Sequence, residues 1–113
     1  MGDNICDLSS RHCKPCEGGT PSLGKEEVES FLASLAGWEL EDGAISRRFE
    51  FKNYYRTIAF VNAVAWIAHN EDHHPDMDVS YRHCRVRYIT HAAGGLSEND
   101  FICAARVDAL MPA

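Results

Sequence analysis

Five of the chain's six histidines lie between residues 69 and 91: His69, His73, His74, His83 and His91. An imidazole is the side chain whose unperturbed pKa lets it give or take a proton near neutrality. Three of these five fall within residues 69–74, just ahead of Pro75. The last, His91, closes a strand-like run before a Gly94-Gly95 turn. Such a gathering holds a metal, moves protons, or arises by accident. For metal, His69 and His73 have an i, i+4 spacing, and His73, His74 and His91 could converge with Asp76 or Asp78 nearby, but HExxH is absent. For proton transfer, imidazoles on two sides of a cleft can protonate one atom and deprotonate another, which suits elimination of water from a small molecule. No Ser or Cys has the setting of an activated nucleophile, and no phosphate-cradling glycine loop follows a strand.

Each residue also has a plainer role open to it. His83 fits an exposed hairpin turn, and His12 belongs to a polar N-terminal stretch. His69 fits the last turn of a helix, where the dipole favours a cation. Asp100 is accounted for as a helix-capping residue.

The elements that must position these groups follow from periodicity. Residues 1–21 read as a polar arm without periodicity, either draped on the domain formed by residues 22–113 or partly disordered. Val28, Phe31, Leu32 and Leu35 make one helical stripe, with Gly24 as N-cap, Leu23 stapled to Val28, and Gly37 ending the helix. Residues 38–41 and 45–51 alternate around Asp42-Gly43, a two-residue hairpin turn. Asn53 caps a second helix running to about Asn70. That helix carries two apolar stripes. Tyr54, Ile58, Val61, Ala65 and Ala68 form the first, and Phe60, Val64 and Ile67 form the second. The plain reading is a wide core face; the sharper expectation, since one sheet in a small domain covers only one stripe, is that the second meets another subunit. Pro75 keeps His74 out of helix. Met77, Val79 and Tyr81 alternate, Arg82-His83 turns, and Cys84, Val86 and Tyr88 alternate again. Ser97 caps a last helix with Asp100 at its third position, and Leu96 can pack on Phe101. The order is α-β-β-α-β-β-α: an α+β fold, a four-stranded antiparallel sheet with helices packed on one face.

Composition narrows the function classes. At 113 residues and a net charge of −6, the chain is one acidic domain, a poor match to a nucleic-acid backbone. It lacks an apolar run of membrane-spanning length and an apolar signal-peptide core, so the expectation is a cytoplasmic protein. Its five cysteines suit free thiols in a reducing compartment. His12-Cys13-x-x-Cys16 resembles half of a zinc site, with Cys6 as a possible further ligand, but no second pair completes it, so no metal is expected there.

With these residues in view, a family resemblance can be stated. His73-His74-Pro75, Val79-x-Tyr81 and Thr90-His91-x-x-Gly94-Gly95-Leu96-Ser97-x-x-Asp100 resemble the pterin-4a-carbinolamine dehydratases. So do Phe49-x-Phe51-Lys52-x-Tyr54, Ala59-Phe60-Val61 and the arm's His12-Cys13-x-Pro15-Cys16-Glu17-Gly18-Gly19. The resemblance covers nearly the whole chain. It implies loss of water from a 4a-hydroxytetrahydropterin, left by an aromatic amino acid hydroxylase, to give the quinonoid dihydropterin, with no metal or organic cofactor. It implies that His73 and His91 are the acid–base pair, that His74 binds and orients the pterin, and that Asp100 supports the site. Pro75, Thr90, Ala92 and Ala93 would line the pocket beside these histidines. It also implies a homo-oligomer, a tetramer favoured over a dimer. One departure is His69, where animal members carry Glu. Two other readings stay open: a protein-interaction module on the same fold, and a dehydratase for a molybdopterin-type carbinolamine.

Overall fold

The computed structural model describes residues 5–13 and 22–111. Its elements run α1 (Lys25–Ala33), β1 (Glu39–Glu41), β2 (Ala44–Glu50), α2 (Tyr54–Glu71), β3 (Asp76–Val79), β4 (His83–Tyr88) and α3 (Glu98–Asp108), with short 3-10 turns at Ile5–Ser10 and His91–Ala93. The four strands form one antiparallel sheet in the order β1-β2-β4-β3. This is the α+β arrangement expected from the periodicity. No helix among the described residues is long and apolar enough to cross a membrane.

Local chemistry explains where the elements begin and turn. Asp42 and Gly43 both take positive φ, at 51° and 81°, as the tight turn between twisted strands requires. The Asn53 side chain accepts the Arg56 N–H at 2.9 Å and so satisfies a free donor of α2's first turn. The α1 helix ends earlier than Gly37. Ser34 is its C-cap, and Gly37 lies beyond it in a turn with φ +93°. A Cβ at Gly37 would meet the Arg47 side chain at 2.9 Å, so close packing as well as backbone conformation asks for glycine there. The second hairpin turns at 80–82, and His83 is the first residue of β4, not part of the turn. Its ring reaches Ser80 Oγ and the Arg48 guanidinium.

The two faces of the sheet are chemically distinct. Cys84, Val86 and Tyr88 on β4, with Ile45 and Phe49 on β2, point toward the helices and are almost wholly buried. The opposite face carries charge: Arg85 pairs with Glu41 and Asp78, and Arg87 with Asp76 at 3.6 Å.

The assignment of the α2 stripes is reversed. Phe60, Val64 and Ile67 face the chain's own core, with Thr57 and Ala68. Phe60 packs its ring against Phe49 at 4.7 Å and Phe51 at 4.9 Å, a three-ring cluster that fixes this face inward. Tyr54 and Ala65 are exposed, Ile58 and Val61 only partly covered, and Trp66 stands 64% exposed beside them.

The arm contributes to the core. Leu8 is 1% exposed, and its 3-10 turn packs on α3. The anchor is Glu71, the last residue of α2, whose side chain is 3% exposed. Its carboxylate accepts the Cys13 N–H at 2.6 Å, meets His12 Nδ1 at 2.9 Å and lies 3.7 Å from Arg106 of α3. Arg106 also donates to the Arg11 carbonyl. Of the half zinc site, the Cys6 side chain and Cys16 lie outside the described residues. Among the described residues, no three His, Cys, Asp or Glu side chains are grouped to hold a metal ion.

Burial opposes ionisation of Glu71, but the Cys13 N–H, His12 and Arg106 outweigh it and hold the carboxyl below its ordinary value of 4.5. A carboxyl lowered on folding stabilises the protein above its unfolded pKa, and that contribution is lost as pH falls through the folded value. Thermal unfolding across the acid range should therefore show a loss of Tm below about pH 4.5 that Glu71→Gln largely lacks. Equal acid slopes in both proteins would contradict this anchoring.

Candidate active site

The site is assembled from three connections. The first is the exit from α2. Asp72 takes the left-handed conformation (φ 53°) as C-cap, and the chain turns so that the His73 N–H still reaches the Ala68 carbonyl at 3.1 Å. The second is the segment after β4. Thr90 and Gly95 exchange backbone hydrogen bonds at 3.0 and 3.3 Å, pinching the 3-10 turn His91–Ala93 into a small closed loop. The third is the N-terminus of α3, where Ser97 and Asp100 form the expected capping box.

Asp100 joins all three. It is fully buried, and one carboxylate oxygen, Oδ2, accepts the Ser97 N–H at 2.9 Å and the Thr90 hydroxyl at 2.7 Å. The other oxygen, Oδ1, lies 2.7 Å from His73 Nε2. The capping role of Asp100 is thus real and is only half of what the side chain does. His73 Nε2 thus faces a buried carboxylate oxygen, and Nδ1 is the ring's other position for exchanging a proton. The His73 ring, 8% exposed, also lies parallel to Tyr88, with 5.7 Å between centroids and 6° between planes. The Tyr88 hydroxyl is buried without a hydrogen-bond partner of good geometry among the described residues, and burial pushes its pKa well above the ordinary phenol value.

His73, His74, Thr90, His91 and Ala92 come together with Asp72 and Ile89 around a cleft of about 230 Å³. His74 and His91 are exposed on its walls, while His73 is held in its base by Asp100. Pro75 and Ala93 neighbour this cleft in sequence but do not line it, and Asp100 sits behind it. His69 is exposed in the last turn of α2, its ring 6.2 Å from Trp66, and it does not line the cleft. A larger hollow of about 770 Å³ lies along the start of α2, lined by Phe51, Tyr55, Phe60 and Met111 among others. No histidine is among its described lining residues, whereas three line the smaller cleft.

Two participants escaped sequence reasoning. Tyr88 was legible as a core strand residue but not as the surface under His73. Glu71 carried a signal: an acid at a helix C-terminus is disfavoured by the dipole and asks for a partner.

The comparisons bear on what such a cleft does. Residues 21–110 match the family model described as pterin 4 alpha carbinolamine dehydratase. A Nitrosomonas eutropha protein carrying the same family assignment is 69% identical over 109 residues, 96% of each chain. A Legionella pneumophila relative with that assignment is 54% identical, over 93% of this chain and 96% of its own. Among solved structures, the transcriptional coactivator/pterin dehydratase of Brucella melitensis superposes with a TM-score of 0.77 at 31% identity, covering 80% of this chain and 99% of that one. A pterin dehydratase-like protein described as a RuBisCO assembly factor of the alpha-carboxysome matches at a TM-score of 0.54 and 28% identity, covering 65% and 84%. This chain belongs to the pterin-4a-carbinolamine dehydratase family and is a hydro-lyase.

The buried hydrogen bonds around Asp100 predict a stability effect. Thr90→Val keeps the shape and removes one donor from a fully buried carboxylate, so urea unfolding should show a loss of about 1–3 kcal/mol. A variant as stable as the wild type would mean that the Thr90 contact is idle.

Proposed function

We propose that this protein uses the His73–His91 cleft to dehydrate a 4a-hydroxytetrahydropterin, giving the quinonoid dihydropterin and water. The observation that carries the assignment of roles is the 2.7 Å contact of His73 with buried Asp100, in a cleft whose walls bear His74 and His91. In the reaction the C4a–O bond breaks and the hydroxyl leaves as water after accepting a proton. The N5–H proton is removed, and its electron pair forms the C4a=N5 double bond. One group must give a proton and another take one, which two imidazoles near neutral pH can do. His73 and His91 are the proposed pair. Asp100 orients the His73 ring and fixes its tautomer, as a carboxylate behind a working imidazole does. His74 is the proposed binding group for the pterin, and Pro75, Thr90, Ala92 and Ala93 complete the surroundings of the pocket through backbone and side-chain contacts.

The setting proposed for this activity is the cytoplasm, supported by the acidic composition and odd cysteine count, with neither nucleic acid nor a membrane as partner. The RuBisCO assembly factor shows that a related fold can carry a different task. The His73–Asp100 pair favours catalysis for this chain.

A homo-oligomer is the proposed assembly, with a tetramer favoured. The outward stripe of α2 supports it: Tyr54, Ile58, Val61 and Ala65, beside exposed Trp66 and the apolar hollow at Tyr55. Each large apolar side chain covered there would contribute about 1.5–3 kcal/mol, and symmetric self-association is the common way to cover one patch with itself.

In a coupled assay that generates the carbinolamine with a hydroxylase, His73→Ala and His91→Ala should each lower kcat by about 10²–10⁴. His74→Ala should act mainly on KM. Equal, small effects at all three positions would sink this division of labour, and no acceleration by the folded wild type would sink the reaction itself.

Light scattering at micromolar concentration should report an oligomer for the wild type and a smaller species for Val61→Glu. A wild-type monomer would refute the assembly, and an intact oligomer of Val61→Glu would place the interface on another surface.

A further inference from the structure

Beneath the proposed active site lies a pair of thiols that the dehydration does not use. Cys13 on the arm and Cys103 on α3 bring their sulfurs to 3.4 Å. Cys103 is fully buried; Cys13 is partly exposed, so solvent reaches the pair from the arm side. Cys13 is not held by its sulfur alone. Its N–H is fixed on Glu71 at 2.6 Å, and its Sγ lies 3.7 Å from the Asn99 carbonyl. The backbone contact therefore holds the two sulfurs in register even though the arm is irregular there.

We propose that Cys13 and Cys103 are an oxidisable pair, converted by a low-molecular-weight disulfide into a covalent tie between the arm and α3. The thiolate of Cys13, the accessible member, attacks one sulfur of the small disulfide and expels the other as a thiolate. Cys103 then attacks Cys13 Sγ and expels the second small thiolate. The protein pair loses two electrons and its two thiol protons, and the reagent leaves as two small thiols. The sulfurs must close to about 2.05 Å, a movement of about 1.4 Å that the irregular arm can supply. The contact with Cys103, burial and the Glu71 carboxylate all raise the Cys13 thiol pKa, which opposes formation of the attacking thiolate and favours alkaline conditions for the exchange. Once made, the bond closes a loop around nearly the whole domain, and a long loop is where a cross-link constrains the unfolded chain most.

The test uses the full-length protein, incubated with oxidised glutathione in mildly alkaline buffer, then alkylated and mapped by peptide mass spectrometry. Expected is a cross-linked Cys13–Cys103 peptide, a protein mass lower by two hydrogen atoms, and a raised Tm that returns to its starting value on reduction. A variant with both Cys6→Ser and Cys16→Ser should form the same cross-link, and Cys103→Ala should not. Cys13 joined to Cys16 or Cys6, a glutathione adduct on Cys13 that never resolves, or thiols left unoxidised would each overturn the proposal.

Discussion

A single buried carboxylate decides how three separate connections meet. Asp100 holds the first turn of α3 through the Ser97 N–H, the post-β4 loop through Thr90, and the α2–β3 connection through His73. A buried carboxylate without partners would cost far more than its helix cap returns, so the chain must bring all its donors to one point. The geometry of the cleft follows from that need. His73 is placed by its bond to Asp100 and by the Tyr88 ring beneath it, and Thr90 by the same carboxylate on one side and the Gly95 backbone on the other. What looks from outside like a functional site is, from inside, the solution to a burial problem.

The sheet and helices were legible because their signals are local. Asp42-Gly43, the Asn53 cap and the Ser97–Asp100 box each act within four residues, and each stands where expected. The α2 stripes show where local signals stop. Both faces of that helix are apolar, and periodicity reports a face without saying what it meets. Only the tertiary cluster of Phe49, Phe51 and Phe60 selects the inward one. Likewise a lone Leu8 in a polar arm has no periodic company, yet it is among the most buried side chains.

The candidate site divides in the same way. Histidine spacing alone left metal binding and proton transfer open, and the family resemblance supplied the pairing of His73 with His91. The 27-residue separation between His73 and Asp100 has no signature in spacing, because the contact is made by α2 and α3 packing side by side. Asp100 was correctly read as a cap, and nothing local to it announced a second partner.

The arm's attachment has a bearing on how the chain reaches this structure. Leu8, Arg11, His12 and Cys13 precede α2 and α3 in the chain, yet the long-range partners described for them lie at or beyond Glu71. The contacts span 58 to 95 positions of sequence. Such long closures are slow, and they yield nothing until the distant partner exists. On the ribosome the long-range contacts of residues 8–13 must therefore wait until Glu71, and for most of them α3, has been made. The arm is the last piece to settle, and the nascent domain must stay soluble with the seat of Leu8 still open.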